Sequence, residues 1–253
     1  MKDPFMRNLI EQLKRALAIS KKDALIYYTK PPVLIQGIMI PLLMFLSFCV
    51  GRNIPVASLV PGMVGMTLYF TSTSVVPVIA PWESRMKTLE RLAASPISMS
   101  AIILGDVLAS FLFGSIISIF SILIGLIIGA SVTDSLVLIV SVVLAALCFS
   151  SFGALLSSPP TDNVANVMML STLVKFALTF ISGVFIPIEE LPAWGRAVSL
   201  ASPLTYLIDS LRYCFQRDNQ CPVLLDITLL AAFTVAFLIA AIKLHERSLP
   251  KRL

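Results

Sequence analysis

Six stretches, at about 33–50, 57–80, 101–128, 135–157, 164–186 and 222–243, are apolar over nearly the length a helix needs to cross a hydrocarbon layer, about 20 residues at 1.5 Å each. Of the 253 residues 57% are hydrophobic and only 13% charged, and the mean hydropathy is +0.93. A soluble domain carries about 25% charged residues, so this chain cannot hide its apolar surface within itself. The bilayer must be its solvent, and the expected fold is an all-α membrane protein with six transmembrane helices, one domain over 1–253. The net charge of +5 therefore reads as membrane topology and points to no nucleic acid. The four cysteines lack metal-ligand spacing and His245 is the single histidine, which argues against a zinc site. No cleavable signal peptide is expected, because the first 30 residues are charged.

Taken in order, 5–29 places Met6, Leu9, Ile10, Leu13 and Leu17 on one helical stripe and Arg7, Glu11, Lys14, Arg15 and Lys22 opposite. That pattern suits an amphipathic helix in the membrane interface, or one docked on a soluble surface, stopped by Pro31-Pro32. In the second span Pro61 and Pro77 flank Thr71-Ser72-Thr73-Ser74; proline frees carbonyls that a neighbouring helix or water must satisfy. Ser121, Gly125 and Gly129 in the third span recur every four residues and allow a second helix to approach closely. Lys and Arg are biased toward the N-terminal arm, the 81–100 loop and the C-terminal tail, with Lys243, Arg247, Lys251 and Arg252. Arg52, Arg196, Arg212 and Arg217 fall on the other side. The positive-inside rule then places both termini and that loop in the cytoplasm of a prokaryotic inner membrane.

The polar run Pro81–Pro96 carries Glu83, Arg85, Lys87, Glu90 and Arg91. The i,i+4 pairs Glu83-Lys87 and Lys87-Arg91 predict one short water-facing helix, ended by Ser95-Pro96. It serves either as a dock for a soluble partner or as a solvated connector. The segment 187–221 is too polar to span, yet Trp194, Val198 and Ala201, then Leu204, Leu207, Ile208 and Leu211, follow helical spacing. Divided at Pro192 and Pro203, it predicts two short helices dipping back into the outer leaflet. Glu189-Glu190 suit the start of the first, Asp209 and Arg212 are spaced to pair, and Cys214 and Cys221 form a possible disulfide. Trp82 and Trp194 suit opposite membrane surfaces. Lys175 lies mid-span, where an ammonium costs about 2.5–3.5 kcal/mol to insert. With Thr172 and Thr179 it is a candidate lining of a substrate path; the alternative is a lysine facing a wet crevice or a helix-end carbonyl.

At the polar run and the external segment the sequence resembles the ABC-2 permeases of ATP-binding-cassette drug, nodulation-factor and polysaccharide exporters. Their cytoplasmic loop has the form E-x-x-x-G-T-x-E-x-L-x-x-S/T-P; Glu83, Thr88, Glu90, Leu92, Ser95 and Pro96 match it. Lys87 replaces the glycine, a change expected to leave this helix straighter and more charged. The external match comprises Ser182-Gly183, Pro187, Leu191-Pro192, Trp194, Pro203-Leu204-Thr205-Tyr206, Asp209 and Arg212. The resemblance implies a coupling helix in 81–100 and two re-entrant helices in 187–221. It also implies a second permease copy and a separate ATPase that carries the ATP and Mg. No G-x-x-x-x-G-K-[ST] occurs, so this chain is expected to bind no cofactor. The function implied is export of a hydrophobic drug, lipid or lipid-linked glycan. The rivals are a secondary transporter or channel, which needs several buried ion sites, and a membrane-embedded enzyme, which needs paired acids or histidines at one depth.

Overall fold

The computed structural model describes residues 4–49, 59–95, 97–161, 163–185, 188 and 191–248. Arg52, Pro96, Pro187, Glu189, Glu190, Lys251 and Arg252 lie outside that set, as do the side chains of Met6, Arg7, Leu9 and Ile10. Every regular element among the described residues is helical: α1 (Pro4–Tyr27), α2 (Pro31–Leu34), a π-helical turn (Ile35–Met39), α3 (Ile40–Cys49), α4 (Val60–Ser72), α5 (Val76–Arg85), α6 (Thr88–Ala93), α7 (Met99–Ile127), α8 (Ser135–Leu156), α9 (Val164–Ile181), α10 (Ala193–Leu200), α11 (Pro203–Gln216) and α12 (Val223–Ser248).

Among the described residues five units are long and apolar enough to cross a membrane: Val60–Arg85, Met99–Ile127, Ser135–Leu156, Val164–Ile181 and Val223–Ser248. The first expected span appears only as a shorter apolar helix, Pro31–Met44, bent by its π turn. Local chemistry sets the starts of three spans. Ser98 Oγ accepts from Ala101 N at 3.2 Å, Asp134 Oδ1 from Val137 N at 3.2 Å and Asn163 Oδ1 from Ala165 N at 3.0 Å; each such cap is worth about 1 kcal/mol.

The central unit is α4–α5, buried along nearly its whole length. It breaks at Thr73–Val75 because the sequence offers the backbone competing partners. Thr71 Oγ1 donates to Thr67 O at 2.6 Å, Thr73 Oγ1 to Tyr69 O at 2.6 Å, and Ser74 Oγ to Phe70 O, while Pro77 has no N–H to give Thr73. As proline and serine in a span require, a neighbour supplies compensation: Ser110 Oγ of α7 donates to Ser72 O at 2.7 Å. Gly114 makes that approach possible, since a Cβ there would stand 1.8 Å from Ser72 Oγ. Around the break Tyr69 packs edge-on against Phe149, with ring centroids 4.9 Å apart. Leu204, Leu207, Ile208 and Leu211 of α11 complete the core.

The small-residue stripe of α7 is used in part. A Cβ at Gly125 would meet Val60 of α4 at 2.5 Å, whereas Gly129 ends the helix at φ +104° with open space around it. The outward faces stay apolar, with Ile119, Phe120 and Leu123 of α7, Met169 and Leu173 of α9 and Val235 and Ile239 of α12 all exposed. Such a surface suits lipid rather than water.

Four expectations are corrected in this frame. The polar run is not one helix, because α5 ends at Arg85 and α6 starts at Thr88, with Lys87 left-handed at φ +56° between them. The replacement of glycine by lysine has not straightened the segment: the turn that glycine would make easily is made by Lys87. Cys214 and Cys221 are free thiols, since Cys214 is turned into the core cluster under α11 while the backbone at Cys221 is held by Asp209. Asp209 and Arg212 do not pair. Arg212 Nη2 donates to Gly183 O at 2.8 Å, and the Asp209 oxygens accept from Gln220 N and Cys221 N, both at 2.8 Å.

Candidate functional site

At the α4–α5 break lies Lys175 of α9, fully buried. Its Nζ donates to Gln36 Oε1 at 3.3 Å and to Ser74 Oγ at 3.4 Å, and it stands 5.9 Å from the centre of the Phe70 ring. Gln36 sits on the π turn, and its Nε2 donates to Thr172 Oγ1, which fixes the amide with its oxygen toward the ammonium. Thr179, also buried, donates to Lys175 O at 2.7 Å. The helix break thus supplies one of the two acceptors of an ammonium that, among the described residues, has no carboxylate partner. Thr172 and Lys175 share one polar cluster; Thr179 satisfies its own helix.

A second cluster joins α1 to the base of α5 and to α7. Glu83, expected to face water and Lys87, is 3% exposed and bonded to Lys22 of α1. It is buried because α1 lies along α7: a Cβ at Gly105 would stand 2.8 Å from Ala16 O, a contact that brings the face holding Ala16, Ile19, Asp23 and Tyr27 inward. Lys22 Nζ also lies 2.9 Å from Asp23 Oδ1, and the carboxyl of Asp23 meets that of Asp106. Burial works against the Lys22 ammonium, but Glu83 and Asp23 outweigh it and hold its pKa above the ordinary range. Burial pushes the Asp23 carboxyl up, while Lys22 pulls it back. Sequence reasoning missed this cluster. Its signal was Asp106 only seven residues into an apolar helix and Asp23 in an otherwise apolar face.

The exposed charges gather just below. Arg85, Lys87, Glu90 and Arg91 face solvent and Leu89 is buried. Thr88 Oγ1 donates to Glu83 O at 3.2 Å, tying α6 to α5. A pocket of about 420 Å³ between α1 and α6 is lined by Lys22, Tyr27, Glu83, Thr88, Arg91 and Ser95, among others.

The model of the family described as ABC-2 type transporter matches residues 14–215. The chain belongs to that family. It is similar to the inner membrane transport permease YadH of Escherichia coli strain K12 and to that of Shigella flexneri. In each case it is 31% identical over 105 residues, 42% of this chain and 41% of the relative, so the match spans less than half the length of those curated relatives. Membership in a transporter family accords with the helices that are long and apolar enough to cross a membrane several times.

At the opposite end of this ABC-2 permease, α10 and α11 form the helix pair expected between the last two spans. Tyr206 Oη donates to Leu200 O at 2.6 Å and Thr205 Oγ1 to Ser199 O at 2.7 Å, closing the corner at Pro203. Trp194 and Val198 point outward and Leu204 to Leu211 inward. Beside α11, Asp209, Cys221 and Asp226 bring their ligand atoms within 4.8 Å of one another, a grouping that local cysteine spacing did not reveal. The single histidine is structural: His245 Nδ1 lies 2.9 Å from Ala241 O and Nε2 lies 3.3 Å from Ser157 Oγ.

Proposed function

We propose that this chain is the membrane-spanning subunit of an ATP-driven exporter that works as a homodimer with a separate ATPase, which carries ATP and Mg. It moves a hydrophobic drug, lipid or lipid-linked glycan outward by alternating access, with both termini cytoplasmic and α1 lying in the membrane interface. The observation that carries this reading is α6. It is a six-residue helix with Lys87, Glu90 and Arg91 turned to solvent. It hangs from the broken, buried α4–α5 unit, whose base is clamped to α1 through Glu83 and Lys22. A partner gripping α6 would pull on a unit that packs against α7, α8, α9 and α11 and already has a discontinuity to bend at. The break is also where Lys175, Gln36 and Thr172 gather, so motion there would expose or cover the polar cluster that supports a substrate path.

In vesicles holding the permease and its ATPase, Glu90→Lys is expected to leave nucleotide hydrolysis within about twofold while export falls by about tenfold or more, since bringing like charges together at an interface costs several kcal/mol. Unchanged export would remove α6 from the coupling. The buried ionisable groups Asp23, Glu83, Asp106 and Lys175 favour a second reading, an ion-coupled transporter. Full-rate transport driven by an ion gradient without nucleotide would replace the first reading with this one.

A further inference from the structure

The end of the molecule opposite α6 carries two buried carboxylates that no cation accompanies. Asp209 is 7% exposed and Asp226 fully buried. Among the described residues no lysine or arginine forms a salt bridge with either: Arg212, one turn from Asp209, donates to Gly183 O, and Arg217 stands over the Tyr213 ring at 5.7 Å. Asp226 Oδ2 accepts from Ser210 Oγ at 3.3 Å, but Oδ1 is buried with no hydrogen-bond partner among the described residues. Burying a charged oxygen without a partner costs more than burying a neutral one in the same way. The Cys221 thiol joins the two carboxyls, the three donor atoms lying within 4.8 Å of one another and coming from α11, from the loop after it and from the first turn of α12. The two backbone bonds from Gln220 and Cys221 to Asp209 hold that loop in place and leave each oxygen a second lone pair.

We propose that Asp209, Cys221 and Asp226 bind one zinc ion, which clamps α11 to α12. The donor set selects the metal. A thiolate with two carboxylates suits Zn²⁺, whereas Mg²⁺ and Ca²⁺ take oxygen alone. Ligands about 2.0–2.3 Å from a tetrahedral zinc stand about 3.3–3.8 Å apart, so the three close on it with about 1 Å of side-chain movement. The ion neutralises the carboxylate pair, gives Asp226 Oδ1 its partner and displaces the Cys221 proton. A fourth position remains for water.

The test uses the full-length protein in detergent, stripped with chelator and reloaded. Elemental analysis is expected to return one zinc per chain. Cobalt loaded in its place should show a thiolate charge-transfer band that survives Cys214→Ser and disappears in Cys221→Ser. Asp226→Asn should weaken zinc affinity by about tenfold or more, in the range metal sites lose when a supporting group is removed. A second measurement needs no variant: zinc should block maleimide labelling of Cys221, and chelator should restore it. Cobalt bound without the thiolate band, no zinc at micromolar concentration, or a labelling rate indifferent to zinc would each overturn the site and leave a proton shared between the two carboxyls as the alternative.

Discussion

Lys175 is held by two long bonds and a ring, and no carboxylate among the described residues offsets its desolvation. Replacing such an ammonium with an apolar chain of like length is often neutral or stabilising, whereas removing a partner while the charge stays is not. Lys175→Met is therefore expected to leave the thermal midpoint unchanged or higher, while export falls if the lysine lines the path. Gln36→Leu should cost about 1–3 kcal/mol and cost much less in the Lys175→Met background. Thermal unfolding of both single variants and the double variant checks the coupling, and additive losses would separate the two residues. The oddity of Lys175 was legible from sequence, because a lysine at the middle of an apolar stretch has nowhere to go. Its partners were not, since Gln36 and Ser74 lie 139 and 101 residues away and only the packing of three helices brings them together.

At the scale of elements, what could be read were periodicities and stops: five of the spans begin and end within a few residues of their apolar limits, and Pro192 and Pro203 divide the α10–α11 pair as expected. What could not be read was where polar side chains win over the helix. The serine–threonine run before Pro77 was noticed, but the break it makes depends on Ser110 and Gly114 of another helix. Lys87 shows the same limit. Helical i,i+4 charge spacing pointed to continuity, yet the chain turns left-handed there, at a cost of about 1–2 kcal/mol for a residue with a Cβ. Lys87→Gly is thus expected to raise unfolding free energy by up to about 1 kcal/mol, while Lys87→Val lowers it, as followed by thermal unfolding in detergent. A loss on introducing glycine would mean that the lysine side chain holds the turn through a contact beyond its backbone.

Across the whole molecule, one end is tied to the other through α5. The core around Tyr69, Phe149 and α11 fixes α4, α5 leaves it through a break, and α1 and α7 meet α5 again both through its apolar Val76, Val78 and Ile79 and through the charged group of Lys22, Glu83, Asp23 and Asp106. The one ammonium pairs with both Glu83 and Asp23, and Asp106 meets Asp23 behind them, so the joint depends on Lys22 more than on any single acid. Removing it by Lys22→Met strands buried negative charge. Fully buried pairs lose about 3–5 kcal/mol in that way; with the Lys22 side chain 32% exposed, solvent reduces this to about 2 kcal/mol. The sign with pH follows from Asp23, whose folded pKa is raised by burial. Stability from a raised carboxyl is present below its unfolded value, about 3.9, and is lost as pH climbs through the folded one. Without Lys22 the strongest influence opposing burial is gone, and only the hydrogen bond with Asp106 still pulls that folded value down. The variant should therefore trail the parent by its full deficit at alkaline pH, and the gap should narrow as the pH falls through the raised carboxyl range and the acids take up protons in place of the ammonium. Melting curves of both proteins across that range decide it: a gap independent of pH would mean that Lys22 supports the joint by packing alone, and α1 would then be held to α5 by shape rather than by charge.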